Sequence, residues 1–190
     1  MIVNILKNYR FKQLLCVFFD EYLWSICKHI PGIEGLFIRR MYLKMFSKKC
    51  GPGVILQRSV HLRSTYNLQI GKNVFINRGV HIDAFGGVEI GEGAALGPHV
   101  VIITGDHGFL PKGTMYQKRG LSSRPVIIGN NSMICANSYI GAGVKIGKNC
   151  VIAAGTSVLV DVPDNAVISN SPADLYSRSM KKTLKNFAQK

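Results

Sequence analysis

From Cys50 to about Pro163, large aliphatic residues recur every sixth position with glycine or a small polar residue behind them. The segments starting at 50, 70, 90, 128 and 146 read CGPGVI, IGKNVF, IGEGAA, IGNNSM and IGKNCV. Those that follow read LQRSVH, INRGVH, LGPHVV, ICANSY and IAAGTS, and the third set reads LRSTYN, IDAFGG, IITGDH, IGAGVK and VLVDVP. Each hexad describes one flat side of a three-sided coil, and three hexads close a turn. The first residue (Ile70, Ile76, Ile82) points inward, and so does the fifth (Val74, Val80, Ala94, Ser132, Ser138, Cys150, Thr156), where a larger side chain does not fit. A unit too small to bury its own apolar side, repeated in phase, is what a solenoid requires. The pattern predicts an all-β solenoid, a parallel β-helix of about five coils. Glycines recurring in register exclude a simple meander of alternating strands.

The breaks in the period carry separate information. Turns start at 50, 70, 90, 128 and 146, so the first two carry two extra residues each, the third twenty and the fourth none. Every insertion falls in or after the third hexad, which sends them all out at one corner. The long one, roughly 108–127, follows His107 and holds Lys112, Lys118, Arg119 and Arg124 without an acid. Loops of this length on a regular scaffold are functional or disordered.

VVIITGDHGF, the basic loop and PVIIGNNSMICANSYIGAGVKIGKNCVIAAGTSVLVDVP together resemble the left-handed β-helix, hexapeptide-repeat acyltransferases, in particular the branch that O-acetylates sugars. That branch includes galactoside and maltose acetyltransferases and capsule or lipopolysaccharide O-acetyltransferases, and the likeness spans residues 50–173. It implies a left-handed coil, a homotrimer with sites between neighbouring subunits, acetyl-coenzyme A as donor and a catalytic histidine just ahead of the loop, the position of His107. On the acceptor side it implies Asn77 and Phe75, with Asp83 nearby on the next face as a further candidate; a turn asparagine at a coil corner is the other reading of Asn77. On the donor side it implies Ala136, Ala154 and Asn170. The chain departs from the family in reading VLVDVP without a lysine before the closing proline. In ISNSPADLYSR, Asn170, Pro172 and Ala173 are kept, but Asp174 stands in place of a cation, which Arg178 or Lys181 replaces.

The chemistry agrees with such a placement. An alcohol is a weak nucleophile and a thioester an activated acyl donor, so the protein must remove a proton and hold an oxyanion. Histidine titrates in the right range. Asp106 adjoins His107, but strand alternation sends neighbours to opposite sides. Two other classes remain: a zinc protein like the γ-class carbonic anhydrases, since His61 and His81 end equivalent hexads and should stack, and a non-catalytic scaffold. Within the acyltransferase reading, a free sugar, an amino sugar or an antibiotic are further acceptors. No metal is expected.

Residues 1–49 lack hexads and carry apolar and cationic residues at helical spacing on either side of Pro31-Gly32, with nine Lys or Arg against three acids. They read as a helical cap over the open end of the solenoid, and equally as an amphipathic segment on an anionic membrane surface. The longest apolar run, Leu14 to Phe19, is too short to span a bilayer, and no signal-peptide cleavage pattern follows it. The solenoid is expected over 50–165 and a helical tail over 166–190. The 190 residues carry a formal charge of +14, which favours acidic partners. No aromatic-interleaved basic motif points to nucleic acid. Five cysteines without paired spacing fit a reducing cytoplasm.

Overall fold

The computed structural model describes residues 11–107 and 121–170, with side chains over 15–105 and 122–170. The basic loop with Lys112, Lys118 and Arg119, the side chain of His107, and the tail with Arg178 and Lys181 lie outside the described residues.

Three parallel sheets wrap a coil of five turns. The first face pairs Lys49–Cys50, Leu68–Ile70, Val88–Ile90, Val126–Ile128 and Lys145–Ile146 in that spatial order. The second, six-stranded, runs from Ile55–Leu56 through Phe75–Ile76, Ala95–Leu96, Met133–Ile134 and Val151–Ile152 to Val167–Ile168. The third holds His61–Arg63, His81–Asp83, Val101–Ile103, Tyr139–Ile140 and Ser157–Val158.

Register places like on like. Leu56, Ile76, Leu96, Ile134, Ile152 and Ile168 form one inward column, and Leu62, Ile82, Ile102, Ile140 and Val158 another. All but Ile168 are buried, and each buried Leu or Ile is worth about 1.5–3 kcal/mol. The small fifth residues, Val74, Ala94, Ser132 and Cys150 among them, fill the corners and are fully buried. Ser132 resolves its polarity there by donating to the Gly147 carbonyl at 2.7 Å and accepting from Cys150 N–H at 3.0 Å.

The corner between the first and second faces needs a left-handed residue in every coil. Gly53, Asn73, Gly93, Asn131, Asn149 and Asn165 supply it at φ 53–70°. Asparagine tolerates that region best among residues with a side chain. The Asn149 amide also donates to Asn165 Oδ1 at 3.1 Å, so the turn residues form a short ladder.

Among the described residues three helices, α1 (Phe11–Glu21), α2 (Leu23–Cys27) and α3 (Gly32–Phe46), pack over the first coil. An exposed edge of a parallel sheet leaves backbone groups unpaired, and the helices answer several of them. Trp24 Nε1 donates to the Val60 carbonyl at 3.0 Å, Arg39 Nε to the Leu56 carbonyl at 2.8 Å, and Ser59 N–H donates to the Lys28 carbonyl at 2.8 Å. At the far end, Asp161 and Asp164 accept the Lys145 and Lys148 N–H groups, each at 2.8 Å.

One buried carboxylate ties helices to solenoid. Asp20 accepts the Tyr42 hydroxyl at 2.6 Å, the Thr65 hydroxyl at 2.6 Å and the Thr65 N–H at 3.0 Å. Burial raises its pKa, and these donors offset that only in part. The folded chain therefore holds the Asp20 proton more tightly than the unfolded chain does. This term lowers stability as pH climbs from the ordinary aspartate range through the raised value. Tyr42→Phe removes a donor and should cost about 1–3 kcal/mol in urea denaturation at fixed protein concentration, while extending that pH-dependent loss to higher pH.

Candidate active site

All insertions leave at the corner between the third and first faces. After Arg63 the chain makes a 3-10 turn, Thr65–Asn67; after Asp83 it bends through Ala84–Gly87; after Ile103 it leaves the coil as a two-stranded antiparallel ribbon, Gly105–His107 with Leu121–Ser123. His107 pairs with Leu121 at the outer end of that ribbon. Asp106 and His107 are consecutive strand residues, as expected.

The foot of the ribbon is held by Thr104, which is fully buried. Its hydroxyl donates to the Asp83 carbonyl at 2.8 Å and accepts the Gly86 N–H at 2.7 Å, while its carbonyl accepts the Arg124 N–H at 2.9 Å. Thr104 thus joins the outgoing strand, the returning strand and the coil below. Sequence reasoning missed it, although a polar residue stacked over Ala84 at an inward position was the available signal.

Asp83 lies at this same corner. Its carboxylate accepts the Phe85 N–H at 3.0 Å and pairs with Arg63 at 3.4 Å. Asp83 and the His107 ribbon are therefore brought together.

Asn77, Ala136 and Ala154 lie elsewhere, at the corner between the second and third faces. The intervening face is a three-residue strand, about 10 Å at 3.3 Å per residue. Asn77 Oδ1 accepts the Arg78 N–H at 2.8 Å. Phe75 stands half-buried on the second face, paired between Ile55 and Ala95.

Three of the donor-side residues converge. Gly155 N–H donates to the Ala136 carbonyl at 2.9 Å, and the Asn170 amide donates to the Gly155 carbonyl at 3.4 Å, which sets Ala136, Ala154 and Asn170 around one stretch of corner backbone. Gly155 has φ +69°, and a Cβ built there would meet nothing within 4 Å. A ligand can approach that backbone closely. Cys135, next to Ala136, is half-buried, and burial raises its thiol pKa, which disfavours a nucleophilic thiolate.

His61 and His81 stack as expected, with ring centroids 6.0 Å apart and planes at 25°. Lys28 Nζ sits 3.4 Å from His61 Nδ1, a cation where a zinc site would need another ligand. Among the described residues no group of three or more His, Cys, Asp or Glu is placed to hold a metal ion.

A solenoid of hexads with one long ribbon interruption fits a left-handed β-helix. Residues 125–159 match the family described as Bacterial transferase hexapeptide (six repeats). Among solved structures, a galactoside acetyltransferase in complex with coenzyme A superposes with a TM-score of 0.75 at 26% identity, over 84% of this chain and 78% of that one. A maltose O-acetyltransferase from Clostridium difficile 630 does so with a TM-score of 0.75 at 25% identity, over 83% of each chain. The 2,3,4,5-tetrahydropyridine-2,6-dicarboxylate N-acetyltransferase of Staphylococcus aureus (strain JH9) is 41% identical over 58 residues, 30% of this chain and 24% of that protein. The matched segment spans about a quarter of the curated relatives' length.

Replacing Thr104 by Val keeps the shape and removes both hydroxyl bonds, leaving the Gly86 N–H without its partner. A loss of about 1–3 kcal/mol is expected. Amide hydrogen exchange at Leu121–Ser123 should accelerate more than exchange at Ile134 or Ile152, since the ribbon foot is what loosens.

Proposed function

We propose that the chain is an acetyl-coenzyme A-dependent O-acetyltransferase that transfers an acetyl group to a saccharide hydroxyl, in the synthesis of a surface polysaccharide, and works as a homotrimer in the cytoplasm. The observation that carries this reading is the ribbon: a regular solenoid gives up its period once at length, and does so to put a histidine at the outer end of a strand. The similarity to galactoside and maltose acetyltransferases supports the reaction type and a sugar acceptor.

His107 takes the acceptor hydroxyl proton as that oxygen bonds to the thioester carbonyl carbon. Backbone N–H groups near Ala136 hold the resulting oxyanion. Collapse breaks the carbon–sulfur bond, and the imidazolium returns the proton to the departing thiolate, so base and acid are one residue. Direct transfer needs no acyl-enzyme. The open backbone around Ala136, Ala154 and Gly155, with Asn170 beside it, suits the donor, and Arg178 is proposed for its phosphates. Asp83, Asn77 and Phe75 are proposed for the acceptor.

The two groups of candidates occupy different corners of one chain, which supports a site shared between copies. One copy brings the His107 ribbon and Asp83, and its neighbour brings Asn77 and the donor groove. The second face supports such an assembly. Its outward column, Ile55, Phe75, Ala95, Met133, Val151 and Val167, is apolar over the whole solenoid, whereas that of the first face presents Lys49, Gln69, Glu89, Ile127 and Lys145. The cytoplasmic placement rests on five free cysteines, Cys16, Cys27, Cys50, Cys135 and Cys150.

The test is a screen of saccharide and amino-sugar acceptors read by release of free coenzyme A. The account predicts turnover with a saccharide hydroxyl and a drop in kcat of about 100- to 10,000-fold in His107→Ala. Full turnover in that variant would refute the proposed base, and exclusive acetylation of amines would refute the O-acetyl assignment.

A further inference from the structure

Helix α3 is amphipathic in the unexpected sense. Its buried positions are Gly35, Arg39, Tyr42 and Leu43, which face the first coil. On the opposite side, Ile33, Phe37, Met41 and Met45 follow one another at four-residue spacing with relative exposures of 81, 66, 42 and 69%. A helix on the surface of a soluble domain turns charged residues outward, and here an apolar residue stands on each turn of the outer side, with Glu34 and Lys44 as the exposed charges among them. Helices α1 and α2 contribute Phe18, Tyr22 and Ile26, all exposed, with the Phe18 and Tyr22 rings 4.6 Å apart. Isolated exposed apolar residues need no explanation; a stripe along a whole helix does.

The charge beside the stripe identifies what covers it. Arg40 and Lys44 lie on α3 among the stripe residues, Lys48 and Lys49 follow directly, and Glu34 is the helix's one acid. Arg40 Nε is buried without a hydrogen-bond partner among the described residues. Two copies of this face meeting each other would set lysine against lysine and leave those charges unanswered. An anionic bilayer offers both terms at once: acyl chains for Phe37 and Met45, phosphates for the Lys and Arg heads, whose aliphatic stems reach along the interface. No helix among the described residues is long and apolar enough to cross a membrane, so the contact lies in the interface plane.

We propose that the outer face of α1–α3 is a docking surface that seats the protein on an anionic lipid bilayer. The proposal stands on the helices alone and does not depend on the acetyltransferase reading. The full chain should co-sediment with phosphatidylglycerol–phosphatidylcholine vesicles, bind phosphatidylcholine vesicles far less, and be released by raised salt. Ile33→Ser with Phe37→Ser should lower the partition coefficient about tenfold or more while leaving the thermal midpoint in place, because both side chains are exposed. Lys44→Gln with Lys48→Gln should weaken binding to anionic vesicles and leave the residual binding to neutral ones unchanged. Failure of the wild-type chain to bind anionic vesicles would overturn the proposal. So would equal binding by the Ile33→Ser/Phe37→Ser protein. Loss of self-association in that variant, without vesicle binding by the wild type, would show a protein interface instead.

Discussion

Like stacking on like along the solenoid axis is the interaction on which everything else here depends. A single coil of eighteen residues has no core of its own, and its aliphatic residues are covered only because the next coil presents the same residues in register. Ile76 is buried between Leu56 and Leu96, and Ile102 between Ile82 and Ile140. This makes the structure intolerant of a phase change and tolerant of an insertion, provided the insertion leaves and rejoins at a corner without shifting the column. The 3-10 turn, the bend and the ribbon all satisfy that condition. Ends are where the arrangement fails, because a terminal coil lacks a neighbour. Trp24 and Arg39 answer carbonyls at one end, and Asp161 and Asp164 answer N–H groups at the other.

The same constraint distributes the chemistry. Side chains that stay within the coils are fixed to a face or a corner by their place in the hexad, so Asn77 and Asp83 are held apart by one face whatever else the sequence does. Among the described residues the ribbon departs furthest from the lattice. A residue at its end is free to serve a surface that its own coil does not present, and in the proposed trimer a neighbouring copy supplies such a surface. The buried Thr104 matters in this light as a positioning residue, since it fixes the direction in which the ribbon leaves.

The fold was legible because the period repeats one physical requirement many times. Coil number, the inward columns and the single corner of insertions follow from hexad spacing, and the stacking of His61 on His81 follows from equivalent places in successive coils. The site was legible only in part. Asp83 lies at the foot of the ribbon whose outer end carries His107, but the separation of Asn77 by a whole face depends on which corner each hexad ends at, which a linear reading of neighbouring coils does not weigh. Thr104 was overlooked because its hydroxyl bonds are made to backbone groups, so that its polar character at an inward position was the one sign of them in sequence. The outward apolar stripe of α3 was hidden for a related reason: Ile33, Phe37, Met41 and Met45 look like core residues until the buried side is known to hold Gly35, Arg39 and Tyr42.

The central claim is that one site draws its residues from two copies, and subunit mixing tests it most directly. His107→Ala and Asn77→Ala chains should each be nearly inactive alone. Refolded together in equal amounts, they should regain activity in about one site in four, since a productive interface needs an intact ribbon from one copy and an intact corner from the next. No recovery in mixed assemblies of confirmed composition would contradict the account and place both residues in a site within a single chain.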